Sequence, residues 1–89
     1  MSARFTLILS PAFRRDLEHL PPRARREVLE ALKLLQSTPK GPHVKIKKLK
    51  GKGIGQWRLE VWPYRARYDV VGHEVRLYRV RHRKGIYGK

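Results

Sequence analysis

The stretch QWRLEVWPYRARYDV, residues 56–70, decides the architecture. Trp57, Leu59 and Val61 alternate with Arg58, Glu60 and Trp62, the period of a strand with one buried face. Pro63 interrupts the run and predicts a tight turn or sheet corner. Tyr64, Ala66, Tyr68 and Val70 then alternate with Arg65, Arg67 and Asp69. Two such runs around a short breaker read as antiparallel neighbours, because a parallel return needs a long crossover. Their apolar and aromatic faces predict a core. Their other faces set Arg58, Glu60, Arg65 and Arg67 side by side.

Toward the C-terminus, Val71-Gly72-His73-Glu74 predicts a hairpin turn. The last strand runs from Val75 to about His82. It brings Arg76, Arg79, Arg81, His82 and Arg83, whose division between the two faces depends on a register the pattern leaves open. Toward the N-terminus lies Gly51-Lys52-Gly53-Ile54-Gly55. It lacks phosphate-loop spacing and opens no helix, so it reads as a flexible strand connection. Before it, His43–Lys47 alternates like a strand and Lys48-Leu49-Lys50 continues it into the loop.

The first half is helical after an opening strand, Phe5–Leu9. Ser10 is placed as an N-cap and Pro11 as the first helical residue. Phe13, Leu17 and Leu20 form one apolar face, and Pro21-Pro22 ends this helix. A second helix spans about Pro22 to about Ser37, with Ala24, Val28, Ala31, Leu32 and Leu35 as its apolar stripe. Glu30 and Lys33 are spaced for an i,i+3 pair. Thr38-Pro39-Lys40-Gly41-Pro42 closes it. The fold class is therefore α+β: two N-terminal helices packed on a twisted, mostly antiparallel sheet of about four strands. Residues 1–89 are expected to form one domain.

Composition narrows the function. Hydrophobic residues are 40% of the chain and charged residues 33%, a globular rather than disordered balance. Cysteine is absent, which excludes disulfides, thiolate metal sites and Cys nucleophiles. No apolar run approaches the roughly 18 residues of a membrane span, and FTLIL is too brief for a signal-peptide core. A cytoplasmic protein with no membrane partner is expected. The 22 Lys and Arg face 7 Asp and Glu, a net charge of +15. Residues 1–43 carry 8 basic and 4 acidic side chains, residues 44–89 carry 14 and 3. The second half is thus the expected contact surface for a polyanion, with nucleic acid first. Lys45, Lys47, Lys48, Lys50 and Lys52 would face the RNA backbone, joined by Arg67, Arg81 and Lys84. A lysine-rich edge also protects a strand from aggregation.

The residue types restrict the chemistry. His19, His43, His73 and His82 show no ligand spacing, and the clustered carboxylates of a two-metal nuclease are missing. Ser10 and Ser37 fall at helix boundaries, where capping or solvation explains them. No metal or other cofactor is expected. Metal-free RNA cleavage is left open by these residue types: the 2′-hydroxyl attacks the adjacent phosphate, with a base, an acid and cations for the extra phosphate charge. Arginine suits the last task. Trp62 and Tyr87 can stack on bases. Each residue also has a plain structural reading. Glu60 pairs with Arg58 or Arg65 across the strands. His82 turns to the core in half of the registers. Tyr87 lies near the chain's end, where fraying is common.

Read in order, SPAFRRDLEHLPP after the opening strand, PHVKIKKLKG ending at Gly51, QWRLEVWPYRARYDV and the tail VRHRKGIY resemble the RelE/ParE toxin family over nearly the whole chain. The resemblance implies a toxin of a type II toxin–antitoxin pair. RelE-type members are endoribonucleases that cut mRNA in the ribosomal A site without metal. ParE-type members share the fold and poison DNA gyrase. The HRKGIY tail is more similar to the RelE branch. By resemblance, Arg58, Arg65 and Arg83 take the positions of catalytic basic residues, and Tyr87 that of the C-terminal tyrosine. Glu60 stands where some RelE enzymes have a basic proton acceptor, which leaves Glu60 and His82 as base candidates. The implied partners are an acidic cognate antitoxin and mRNA on the ribosome, with 16S rRNA contacts. The alternatives are a gyrase inhibitor and a basic ribosome- or nucleic-acid-binding protein without activity.

Overall fold

A computed structural model of the chain describes residues 4–51 and 53–85. The elements are β1 (Thr6–Leu9), α1 (Pro11–Glu18), α2 (Pro22–Ser37), β2 (Ile46–Lys48), β3 (Trp57–Val61), β4 (Tyr64–Val71) and β5 (Glu74–His82). The fold is α+β, two helices packed on one sheet, as expected. The sheet has five strands rather than about four, in the order β1-β5-β4-β3-β2. β2 through β5 pair antiparallel, whereas β1 lies parallel to β5. The helices carry the chain across the sheet from one edge strand to the other, so β1 enters alongside the strand that comes last.

Helix limits follow local chemistry. Ser10 Oγ accepts from Phe13 N–H at 3.0 Å and donates to the Tyr78 carbonyl at 2.9 Å, so one hydroxyl caps α1 and anchors it to β5. At the other end of α1, Arg25 donates through Nε to Leu17 O at 3.2 Å and through Nη2 to Leu20 O at 3.3 Å. These bonds add side-chain donors to carbonyls at the end of the helix and in the turn after it. On α2, Lys33 meets Glu30 at 3.3 Å.

Phe13, Leu17 and Leu20 from α1 and its following turn join Val28, Leu32 and Leu35 from α2 over one sheet face. Leu59, Val61, Ala66, Tyr68, Val75, Leu77 and Val80 come up from β3, β4 and β5 to meet them. Tyr68 is buried with its hydroxyl donating to Pro39 O at 2.6 Å. Burial pushes its phenol pKa up, so it stays a neutral donor.

One expectation needs correction, and one point the sequence left open is settled. The strand read over His43–Lys50 is only Ile46–Lys48. His43 Nδ1 accepts from Lys45 N–H at 3.1 Å and its carbonyl from Ile46 N–H at 3.0 Å, which makes residues 43–46 a turn. A side-chain acceptor that captures a nearby backbone N–H competes with the ladder, and Val44 is left 83% exposed. The second concerns β5. Arg67 stands opposite Arg79, but Tyr68 stands opposite Leu77, so Tyr78 is one residue too many. This bulge shifts the phase of the strand: Val75 and Leu77 are buried before it, Val80 after it.

Candidate functional site

Both helices lie on one side of the sheet, so the other side of β3, β4 and β5 is open. The register builds rows across it: Arg58 opposite Arg67 and Arg67 opposite Arg79, then Glu60 opposite Arg65 and Arg65 opposite Arg81. Arg58, Arg65, Arg67, Arg79, Arg81, His82, Arg83 and Gly85 line a shallow cavity of about 220 Å³ there. Like charges directly opposite one another destabilise a sheet. Such rows are an arrangement that can hold an anion between them.

Three carboxylates order the cluster. Glu60 Oε2 lies 3.0 Å from Arg58 Nη2 and 3.3 Å from Arg65 Nε, which joins β3 to β4. Asp16 of α1 is buried and takes Arg79 as a fork, Nε at 2.8 Å and Nη2 at 3.1 Å. The same carboxylate accepts Val80 N–H at 3.1 Å, serving β5 just past the end of β1. Asp69 holds the Gly-rich loop: it accepts Gly55 N–H and Gln56 N–H, both at 2.8 Å, and the Tyr78 hydroxyl at 3.1 Å. Arg67 Nε donates to Gly55 O at 2.6 Å from the same side. Gly55 has φ of 75°, and a Cβ there would lie 3.3 Å from Arg67 Cβ, so glycine is required. Burial works against the Asp69 carboxylate. The Gln56 and Gly55 amides, the Tyr78 hydroxyl and the Arg67 charge outweigh it and hold the carboxyl below its ordinary pKa.

Within this frame Arg58 is unusual. Its side chain is 21% exposed, and its Nε is buried without a hydrogen-bond partner. An orphaned buried donor costs about 1–3 kcal/mol, and here the cost falls inside the arginine cluster.

The bulge resolves the placement of His82. It stands opposite Tyr64, on the helix side, and the two rings meet edge to face at 5.5 Å. His82 still reaches the rim of the arginine cavity. Its Nδ1 accepts Lys84 N–H at 3.1 Å, so the neutral ring carries its proton on Nε2. That tautomer presents a donor and suits a proton acceptor poorly.

The expected RNA-binding lysines are scattered. Lys47 stands opposite Arg58 and extends the row on the open face. Lys48 stands opposite Trp57, with its ammonium 5.5 Å from that ring. Lys45 lines a separate groove beside α2 with Glu27, Glu30 and His43. Lys50 and Lys84 are exposed in the segments after β2 and β5. Lys52 and Tyr87 lie outside the described residues. Asp16 and Tyr78, which help organise the cluster, escaped the sequence reading, whereas that reading sets Asp69 on the outer strand face with Arg65 and Arg67. An acidic residue on an otherwise basic strand face was the only signal for Asp69. Among the described residues, no three His, Asp or Glu are grouped as metal ligands, and no helix is long and apolar enough to cross a membrane.

Comparison with known proteins gives a consistent picture. Residues 7–87 match the model of the family described as the ParE toxin of type II toxin–antitoxin system, parDE. No curated protein sequence matches the chain. Among solved structures, it is similar to the toxin–antitoxin complex RelBE2 of Mycobacterium tuberculosis, at 29% identity and a TM-score of 0.75, over 89% of this chain and 98% of that one. It is also similar to the RelB–RelE antitoxin–toxin complex of Methanococcus jannaschii, at 29% identity and a TM-score of 0.69, over 86% and 91%. The fold is shared with the archaeal RelE–RelB complex of Pyrococcus horikoshii, at 24% identity and a TM-score of 0.75, over 93% and 97%.

Proposed function

The chain belongs to the ParE toxin family of type II toxin–antitoxin systems, and we propose that within it this protein is a metal-independent endoribonuclease that cleaves ribosome-bound mRNA. The observation that carries this reading is the convergence of six arginines on one cavity of the open face. Attack of a 2′-hydroxyl on the adjacent phosphorus adds negative charge to the phosphoryl oxygens, and guanidinium groups already in place meet that charge without reorganising. The 5′-oxygen then leaves and a 2′,3′-cyclic phosphate remains. Glu60, the carboxylate inside the cluster, accepts the 2′-hydroxyl proton. Water supplies a proton to the leaving oxygen. Arg58, Arg65, Arg81 and Arg83 hold the phosphate, while Arg67 and Arg79 are tied to Gly55 and Asp16 and set the cavity's walls. Tyr87 is assigned the place of the family's C-terminal tyrosine by resemblance, and its aromatic ring suits it to stack on a base. DNA lacks the 2′-hydroxyl and cannot follow this route.

The solved relatives above are antitoxin complexes, and a net charge of +15 favours an acidic chain laid over the open face. A cognate antitoxin of that kind is the protein partner we assign. The test is primer extension on an mRNA translated in a purified system, with antitoxin-free protein added. Ribosome-dependent cuts inside codons, lost in the Arg65→Ala, Arg83→Ala double variant, are expected. Intact mRNA with folded protein would overturn the reading.

The family model itself favours a second reading, inhibition of DNA gyrase without catalysis. It predicts DNA damage with mRNA left whole, and unaltered gyrase supercoiling at saturating protein removes it. Absence of both effects would leave a basic ribosome- or nucleic-acid-binding protein without activity.

A further inference from the structure

Trp62 sits at the tip of the β3–β4 hairpin and is 71% exposed. Single exposed hydrophobic residues are common and need no explanation. This indole differs because of its surroundings. The Arg83 guanidinium lies over its ring, 4.4 Å from the centroid. Arg83 N–H donates to Pro63 O at 2.7 Å, which ties the turn after β5 to the tip of the hairpin. Gly85 N–H and Lys84 N–H both return to His82, at 2.7 Å and 3.1 Å, and close that turn. The His82 ring in turn packs on Tyr64, the residue after Pro63. The stack therefore stands on two turns locked together by backbone bonds. Its guanidinium is also part of the arginine cavity wall. The indole forms one wall of the groove beside α2, with Ala31, Leu34 and Val61.

We infer that Trp62 and Arg83 form a stacking platform for one unpaired base of single-stranded RNA, the base next to the phosphate held in the arginine cavity. This rests on the nucleic-acid reading above and adds to it a residue that binds base rather than phosphate. Three features favour a base as the occupant. A flat aromatic face next to a guanidinium cluster matches the alternation of base and phosphate along a strand. A guanidinium stacked on one indole face polarises the ring and limits its motion, so little order is lost on binding. The exposed ring gives up little packing in the folded protein, so its exposure costs little when no ligand is bound.

The test compares affinities, at one salt concentration, for a short unstructured RNA and for an abasic ribose-phosphate polymer of equal length. Wild-type protein should bind the RNA roughly ten-fold or more tightly than the abasic polymer, the range for one stacked base. Trp62→Ala should remove most of that preference and leave abasic affinity unchanged. Trp62→Phe should keep most of it, and Arg83→Lys, which retains charge but loses the planar stack, should fall between. Near-identical thermal midpoints for the Trp62 variants would show that folding is intact. If RNA and abasic polymer bind alike to the wild type, or if Trp62→Ala keeps the full preference, the platform is overturned while the phosphate site stands. An indole serving only a protein partner would give that first result. If neither polymer binds, the RNA reading fails as well, and the two failures are thereby told apart.

Discussion

The two faces of the sheet obey opposite rules. Under the helices, Leu59, Ala66, Tyr68, Val75 and Leu77 are buried in contact with Phe13, Val28 and Leu35. On the other face the same strands present Arg58, Arg65, Arg67, Arg79 and Arg81 in directly opposed rows. The first face lowers the free energy of the folded state by removing apolar surface from water. The second raises it through mutual repulsion, relieved in part by Glu60 and Asp16. The difference shows where stability and function reside: the covered face supports a charged surface that would not hold itself together.

That contrast is open to attack, most strongly from the covered face. Phe13→Ala should cost about 3–5 kcal/mol, the usual loss for a buried aromatic ring; urea unfolding monitored by circular dichroism checks it. A loss below 1 kcal/mol would mean that α1 contributes little to the core. Asp16→Ala tests the link between the faces. It removes the carboxylate that accepts from Val80 N–H and pairs with Arg79, and should cost about 1–3 kcal/mol while also weakening phosphate binding. Arg65→Ala should divide the two properties cleanly. Stability should move by no more than about 0.5 kcal/mol, whereas cleavage should fall roughly 10²–10³-fold, as when one stabilising donor is removed. Parallel losses in both would break the comparison.

The smallest effect depends on pH. The Asp69 carboxyl is held below its ordinary value in the fold. Its contribution is therefore complete above the unfolded value of about 3.9 and is lost as pH falls through the lower folded value. Asp69→Asn removes that dependence, because an amide does not titrate, and lowers stability, because its NH2 end cannot accept a backbone N–H. Urea midpoints of wild type and variant should differ at pH 7 and draw together as pH falls below about 3.9. A constant gap would show that the Gly55 and Gln56 amides draw no stability from the charge.

Much of this was legible in the residues. The limits of α2 follow from Pro21-Pro22 and the Thr38–Pro42 breakers, and α1 begins at its Ser10-Pro11 signal, because caps and breakers act within a few residues. Arg58, Glu60, Arg65 and Arg67 share the open face because β3 and β4 keep strict alternation. The turn at His43 was missed because a side-chain acceptor overrode an alternating pattern. The placement of Arg79 and His82 was missed because the bulge at Tyr78 is held by long-range contacts, Ser10 to the Tyr78 carbonyl and Tyr78 to Asp69.

The sequence by itself determined the two helices, the β3–β4 hairpin and the basic outer face that β3 and β4 carry, since periodicity, caps and charge are local properties. Only the tertiary structure decided that β1 lies parallel beside β5, that a bulge turns His82 under the sheet, and that Asp16 and Asp69 brace the arginines. Those outcomes depend on residues dozens of positions apart competing for the same hydrogen bonds, a competition settled only when the chain is folded.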